Sequence, residues 1–176
     1  MSRSLRAALL ATALSAASLP VLAQTAMPVV PMAGALTELD RQFMMVDASG
    51  GVYETSLAAL AQQKTSREDI KTYAAMLLQD HAEHNGALQQ LAMAKGIVLP
   101  TAMSADDRTR LNGINLQGGS TFDRSFILEA IRINDEDRKA AQQEAAATAD
   151  PDVKAFLQRY AAMDARHEQA AKMLQR

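Results

Sequence analysis

The stretch "IKTYAAMLLQDHAEHNGALQQL", residues Ile70 to Leu91, decides how this chain folds. Core-type positions recur in it at alternating steps of four and three residues, which is the pattern of an α-helix with one buried face. Turning its two histidines to solvent would also expose Leu77 and Leu88, because all four side chains lie on that face. The predicted buried face consists of Ile70, Ala74, Leu77, His81, His84, Leu88 and Leu91.

The same helix has recognisable ends. Ser66 followed by Asp69 has the spacing of a capping pair and predicts where the helix begins. Gly96 is of the type that favours the position just after a helix, and Pro100 follows it closely. We therefore expect this helix to extend from Ser66 to the residues just before Gly96.

Another helix is predicted before it, from Leu36 to Lys64, and Thr37 with Asp40 resembles a capping box at its start. The adjacent glycines Gly50 and Gly51 each disfavour a helix by about 1 kcal/mol relative to alanine. They predict a kink, a close approach of another helix, or a break. The apolar face is expected to consist of Leu36, Leu39, Phe43, Val46, Gly50, Tyr53, Leu57 and Leu60.

Two further helices follow residue 120. One covers about 121–148, and the other opens at Asp150–Pro151, an N-cap followed by proline at the first helical position. Short turns join the four helices in two pairs, whereas the segment 97–120 is long enough to run along a helix of roughly 40 Å, with one short helix starting at Ser104. This order predicts an all-α fold, a ferritin-like four-helix bundle in which a long crossover joins two antiparallel hairpins.

An internal repeat relates the two halves of the chain at a constant offset of 83 residues. "LDRQF" at residues 39–43 falls on "FDRSF" at 122–126. "DIKTY" at residues 69–73 likewise falls on "DVKAF" at 152–156. The polar residues expected in the core coincide as well, so each half carries one acid on its first helix and an i, i+3 pair ending in histidine on its second.

Six candidate metal ligands result from this repeat, and we expect them to converge on one layer of the bundle near the middle of the helices. Bundles that hold two metal ions between carboxylates use a comparable set, with two glutamates and two Glu-x-x-His pairs. Here His81 stands where a bridging glutamate is expected, and Asp137 and Asp164 reach less far than glutamate would. A single Fe, Mn or Zn ion, or no metal, therefore competes with a di-metal centre. The six residues are Glu54, His81, His84, Asp137, Asp164 and His167.

The N-terminus has the features of a secretory signal peptide. Arg3 and Arg6 precede an apolar stretch, and "VLA" at residues 21–23 fits the cleavage rule, so the expected cut lies between Ala23 and Gln24. Residues 24–35 contain two prolines and no periodicity, which predicts a flexible leader before the domain at 36–176. A periplasmic location in a bacterium is expected.

The composition excludes several classes of protein. Cleavage after residue 23 removes two arginines and leaves 16 basic against 20 acidic residues, a net charge of −4, which does not suit nucleic-acid binding. Cysteine is absent, so disulfides and thiolate ligands are ruled out. No stretch of the mature chain predicts a transmembrane segment. The partners left open are a second copy of the chain and an unidentified periplasmic protein.

The chain resembles the DUF4142 family of exported bacterial proteins. The resemblance covers most of 36–175 and depends on "DRQF", "KTYAAMLLQDHAEHNGALQQLAMAKGIVLP", "FDRSF" and "VKAFLQRYAAMDARHEQA". It implies a ferritin-like helical bundle and an exported location, and it brings no established activity. The family usually has a second Asp-His pair in the third long helix, where this chain has Ile133-Asn134.

Three hypotheses follow for function. The first is a structural, interaction or stress-related module in which buried histidines and acids form a polar network. The second is a metal-binding bundle using the six residues above, with Asp80 or Asn134 in support. The third, an enzyme that consumes peroxide at a di-metal centre, requires the second. No nucleophile–base arrangement or phosphate loop favours another enzyme class, so a non-enzymatic role is preferred.

Overall fold

The computed structural model describes Gly34 and residues 36–175, and this part of the chain is all-helical, as predicted. The predicted signal peptide and nearly all of the predicted leader lie outside the described residues. Residues 36–175 form five helices: the four long ones and the short one predicted to begin at Ser104. The helices are α1 (Glu38–Lys64), α2 (Glu68–Ala94), α3 (Ala105–Asn115), α4 (Gly119–Ala147) and α5 (Pro151–Met173).

Local capping interactions set most of the helix ends. The capping box of Thr37 and Asp40 opens α1, and the side chains of Ser104 and Asp150 cap α3 and α5. Gly96 follows α2 with a φ of 69°, the left-handed conformation that glycine adopts most easily. There the N–H of Ile97 donates to the carbonyl of Ala92 at 2.9 Å, which satisfies one of the last carbonyls of the helix.

The predicted start of α2 is wrong. Its N-cap is Arg67, and no side chain caps the helix. The reason is that Asp69, the expected second member of a capping pair with Ser66, instead binds the Arg67 guanidinium at 2.7 Å. The hydroxyl of Thr65 accepts the Arg67 N–H at 3.0 Å, so the turn between α1 and α2 is held by these residues.

Contacts between the long helices show their relative directions. Gln62 near the end of α1 reaches Lys71 near the start of α2, whereas Asp47 early in α1 contacts His84 late in α2. The two helices are therefore antiparallel. Helices α4 and α5 follow one another through a short turn in the same way, and Arg138 of α4 binds Glu168 near the end of α5.

The segment between α2 and α4 runs from one end of the helices to the other. At its beginning Lys95 contacts Asp150, which lies at the start of α5. At its end Asn115 accepts a hydrogen bond from Lys64, the last residue of α1. Helix α3 lies within this segment and packs against α1 and α4. No helix in the described part of the chain is long and apolar enough to cross a membrane.

The first half of α1 presents a different face to the core from the one predicted. Leu39 and Val46 are 55% and 71% exposed, although both were expected to be buried. The face is rotated by one residue, and the buried positions are Asp40, Met44, Asp47 and Gly51. The prediction failed because it followed the apolar residues, whereas this helix buries two carboxylates: Asp40, which closes the capping box with Thr37, and Asp47, which pairs with His84 on α2.

The interior contains two apolar cores, one toward each end of the long helices. One includes Leu57, Ile70, Phe122 and Phe126, and the other includes Met44, Leu88, Val153 and Leu157. Each of the four long helices contributes to both. Between the two cores the buried residues are mainly histidines and acids, and this intervening level is the candidate functional site.

Candidate functional site

The polar layer is the set of titratable residues between the two apolar cores. Helix α1 contributes two acids, α2 an acid and two histidines, α4 one acid, and α5 a tyrosine, an acid and a histidine. All three histidines of the chain belong to it, and each is buried, as predicted for His81 and His84. The layer consists of Asp47, Glu54, Asp80, His81, His84, Asp137, Tyr160, Asp164 and His167.

His81 lies at the centre of the layer and is completely buried. Its Nε2 is 3.1 Å from Oε2 of Glu54 on α1, close enough for an ion pair but not aligned as a hydrogen bond. Burial lowers the pKa of His81, but Glu54 and the other nearby acids together outweigh burial and leave that pKa raised. The contact is therefore stronger when the imidazole is charged.

His84 is paired with an acid that sequence reasoning missed. Its Nε2 lies 3.0 and 3.2 Å from the two carboxylate oxygens of Asp47. The imidazole ring stacks on Tyr160, with ring centroids 4.2 Å apart, and Phe156 lies 4.9 Å away. A hydrogen bond and two aromatic contacts thus fix this side chain between α1 and α5.

His167 forms the third pair, between α5 and α2. Its Nε2 lies 2.7 Å from Oδ2 of Asp80, which is half-buried at the edge of the layer. Burial lowers the pKa of His167, and the nearby His81 lowers it further, while the hydrogen bond to Asp80 acts in the opposite direction. The two rings are 5.6 Å apart, so charge on one disfavours charge on the other.

Asp137 and Asp164 differ from the other acids because neither is paired with a histidine. Burial, together with the nearby Glu54 carboxylate, raises the pKa of Asp164 to about 10. Burial and the acids Glu54 and Asp47 raise the pKa of Asp137 to about 8. Asp164 therefore carries a proton at neutral pH in the folded chain, whereas the pKa of Asp137 lies close enough to neutrality for a nearby positive charge to favour its carboxylate form.

Several buried polar atoms of the layer have no hydrogen-bond partner. They are Oε1 of Glu54, Nδ1 and Nε2 of His81, both carboxyl oxygens of Asp164 and Nδ1 of His167. Buried polar groups normally have partners, and imidazole nitrogens with carboxylate oxygens are the donors that Zn, Fe and Mn accept. Within residues 36–175, however, no three such side chains are grouped so that they hold a metal ion. The layer thus has the types of atom that bind these metals, but its side chains are not arranged around one point.

All six residues predicted from the repeat lie in the layer, but the pairs they form do not follow the repeat. Glu54 contacts His81, whereas Asp137 and Asp164, their counterparts in the second half, are both acids. Their role as metal ligands stays a prediction. Asp80, expected in support of a metal site, instead contacts His167 directly.

The missed residue Asp47 left one signal in the sequence. It precedes Glu54 by seven residues, which places both carboxylates on the same side of α1, two turns apart. The repeat could not reveal it, because the position 83 residues later is Ala130. Asp80 was overlooked as a direct partner for the same reason, since the corresponding residue in the second half is Met163.

Comparison with known proteins places these observations in context. The chain is similar to a solved crystal structure of a DUF305 fragment from Deinococcus radiodurans, with a TM-score of 0.70 and 12% sequence identity. The similarity covers 78% of this chain and 95% of that one, and at this identity it concerns the fold alone. No curated protein matches the sequence. The profile of the family described as "Domain of unknown function (DUF4142)" matches residues 25–174, and the chain therefore belongs to the DUF4142 family.

Proposed function

We propose that this protein is an exported, periplasmic structural or interaction module whose polar layer holds three of its long helices, α1, α2 and α5, in register. The observation that carries the proposal is that every histidine of the chain joins two helices through a carboxylate. His81 and His84 tie α2 to α1, and His167 ties α5 to α2. No catalytic step is part of this function.

We also infer that the architecture is a ferritin-like four-helix bundle. Three features support this: the antiparallel pairing of α1 with α2, that of α4 with α5, and the crossover along the length of the helices. In such a bundle a helix surrounded by apolar residues can slide by one turn at little cost. Buried polar pairs prevent this, because a shifted helix leaves charged groups unpaired inside the protein.

The magnitude of this effect follows from burial. Glu54 is 4% exposed and His81 is not exposed at all. Removing one partner of such a pair leaves the other buried without compensation, which costs about 3 to 5 kcal/mol. This is a large part of the free energy of unfolding of an ordinary domain, about 5 to 15 kcal/mol.

A double-mutant cycle tests the proposal. We expect Glu54→Gln and His81→Gln, separately and together, to reveal a coupling energy of at least about 1.5 kcal/mol in urea unfolding. The exposed pair of Arg67 and Asp69 is the matched control, and its coupling should stay below about 1 kcal/mol. Running every measurement with a chelator present ensures that metal does not contribute. Equal coupling in the two pairs would refute the role of the layer.

The location is tested separately. We propose that the signal peptide comprises residues 1–23, so the mature chain begins at Gln24. Mass spectrometry of the protein from a periplasmic fraction should find that N-terminus. Full-length protein retained in the membrane would contradict export as proposed.

A second candidate function is binding of Fe, Mn or Zn at the polar layer. It is favoured by the unpartnered nitrogen and oxygen atoms of Glu54, His81, Asp164 and His167. Metal analysis of protein purified after growth with all three metals tests it. If an ion is bound, His167→Ala should abolish binding, whereas Asp80→Ala should only weaken it. Metal-free protein from such a culture rejects this candidate and leaves the structural role intact.

A further inference from the structure

A cleft of about 630 Å³ lies between α1 and α4 and borders the polar layer, three of whose members line it: Asp47, Asp137 and Tyr160. We call it the α1–α4 cleft and define it by Leu39, Phe43 and Val46 on α1 and by Ile133, Asp137 and Glu144 on α4. Its volume is in the range of sites that bind small molecules. Nothing in the proposed structural role requires a cleft at this place.

One wall of the cleft is apolar and exposed. Leu39 and Val46 are 55% and 71% exposed, and Met45 beside them is 46% exposed. Exposed apolar side chains that lie together commonly mark a binding surface. Leu39 and Val46 are seven residues apart on a helix, so this wall is about 10 Å long.

The charges along the cleft are strongly unequal. Five described acids line it: Asp47, Asp107, Glu136, Asp137 and Glu144. Arg132 also lines it, but its guanidinium is already bound by Glu129 and Glu136. Glu136 is bound by Arg132, and Asp47 is bound by His84. Asp107, Asp137 and Glu144 have no basic partner among the described residues, so the cleft should attract cations.

Glu144 marks a specific point of attraction in the cleft. Its side chain is only 6% exposed, and its Oε1 has no hydrogen-bond partner. Burial and the neighbouring Asp40 raise its pKa, because a second negative charge lies close by. A donor that brings positive charge to this carboxyl group would satisfy the free oxygen and relieve the repulsion.

The spacing of the acids matches the apolar wall. Glu144 and Asp137 are also seven residues apart. Glu144 lies beside Asp40 and Asp137 lies near Asp47, so one acid faces each end of the wall. The cleft thus has a carboxyl group at each end and an apolar surface between them.

We propose that the α1–α4 cleft binds a linear aliphatic diamine or polyamine. One ammonium group binds Glu144, a second binds Asp137, and the methylene chain lies along Leu39, Phe43 and Val46. Each ammonium is a charge-assisted donor to a carboxylate, and the chain removes apolar surface from water. The two carboxyl groups that bind the ligand are not paired with a histidine, so the proposal does not depend on the proposed structural role.

Calorimetric titration of the mature protein with 1,8-diaminooctane tests the proposal. We expect it to bind at least about tenfold more tightly than 1-aminooctane, because the second ammonium adds a charge-assisted hydrogen bond worth about 1.5 kcal/mol or more. Octanoate, with the same chain and the opposite charge, should not bind. A diamine with only four carbons cannot reach both acids and should bind no better than the monoamine.

Variants locate the site. Glu144→Gln should weaken diaminooctane binding about tenfold, to the level of the monoamine, whereas Glu83→Gln on the opposite side of the protein should leave it unchanged. Val46→Ser should weaken binding. Val98→Ser, at a valine of the crossover that is also exposed, should not. Circular dichroism confirms folding of each variant, and the valine pair remains informative if Glu144→Gln is unstable.

Several results would overturn the proposal. They are the absence of diamine binding, equal binding of diamine and monoamine, binding of octanoate, and unaltered binding by Glu144→Gln or Val46→Ser. Because none of these measurements involves a histidine, they leave the coupling of Glu54 and His81 untouched. The failure of one proposal is thus distinguishable from the failure of the other.

Discussion

The adjacent glycines of α1 allow a sharp test, because the structure assigns them opposite roles. Helix α1 continues through both without a break. A Cβ placed at Gly51 would lie 2.3 Å from Oδ1 and 3.0 Å from Cγ of Asn85 on α2, whereas a Cβ at Gly50 meets nothing within 4 Å. Of the three explanations for this pair, a close approach therefore applies, and to Gly51 alone.

The expected stabilities follow from two opposing effects. Replacing glycine by alanine inside a helix stabilises it by about 1 kcal/mol, and Gly50→Ala should gain this amount in full. Gly51→Ala gains the same helix preference but forces Asn85 to shift, and overpacking of this kind costs about 1 to 3 kcal/mol. The two variants should therefore differ in free energy of unfolding by about 1 to 3 kcal/mol, with Gly50→Ala the more stable.

Urea unfolding followed by circular dichroism measures this difference. The decisive control is Gly51→Ala in an Asn85→Ala background, where the obstructing amide is gone. There the substitution should regain the stabilisation of about 1 kcal/mol expected for an unobstructed helix position. If Gly50→Ala and Gly51→Ala change stability equally, or if Asn85→Ala makes no difference, the reasoning from close approach is refuted.

Three further predictions concern charge and exposure. The pKa of Asp164 is raised to about 10 in the folded chain, so its contribution to the free energy of unfolding is fully present below pH 4 and is lost as the pH rises toward 10. Asp164→Asn should therefore reduce the fall of the free energy of unfolding between pH 5 and 8 by about 1.4 kcal/mol per pH unit. An unchanged slope would contradict the raised pKa. Asp150→Ala should cost about 1 to 3 kcal/mol in urea unfolding, because it removes both an N-cap and the contact with Lys95. Asp152→Ala loses only an exposed ion pair and should cost less than about 1 kcal/mol. Equal losses in the two variants would contradict the capping role of Asp150. Val46→Ser should change the free energy of unfolding by no more than about 0.5 kcal/mol, as a substitution on the surface does. A larger loss would mean that α1 buries the face predicted from its apolar residues.

The helix ends were predictable because capping is local. Thr37, Ser104, Asp150 and Gly96 act on backbone groups a few residues away, so their types and spacing were sufficient. The start of α2 was missed because Arg67 competes with Ser66 for Asp69, and a sequence pattern does not rank two local partners.

The partners within the polar layer were harder to predict, because they depend on how each helix is rotated against the next. His81 and His84 could be assigned to the interior from their own helix, since large apolar side chains share that face. Pairing His84 with Asp47 required knowledge that α1 turns a carboxylate, and not Val46, toward α2. That rotation is decided by packing across the whole interface and leaves little trace in one sequence.

The division of the interior into two apolar cores has a consequence for how the folded chain opens. Hydrophobic side chains on either side of the polar layer do not form one continuous cluster, so less cooperativity links the two ends than in a bundle with an unbroken core. Subglobal unfolding should therefore proceed from each end toward the middle as two separate units. In native-state hydrogen exchange, amides around Leu57 and Phe126 would share one opening free energy, and those around Leu88 and Leu157 another.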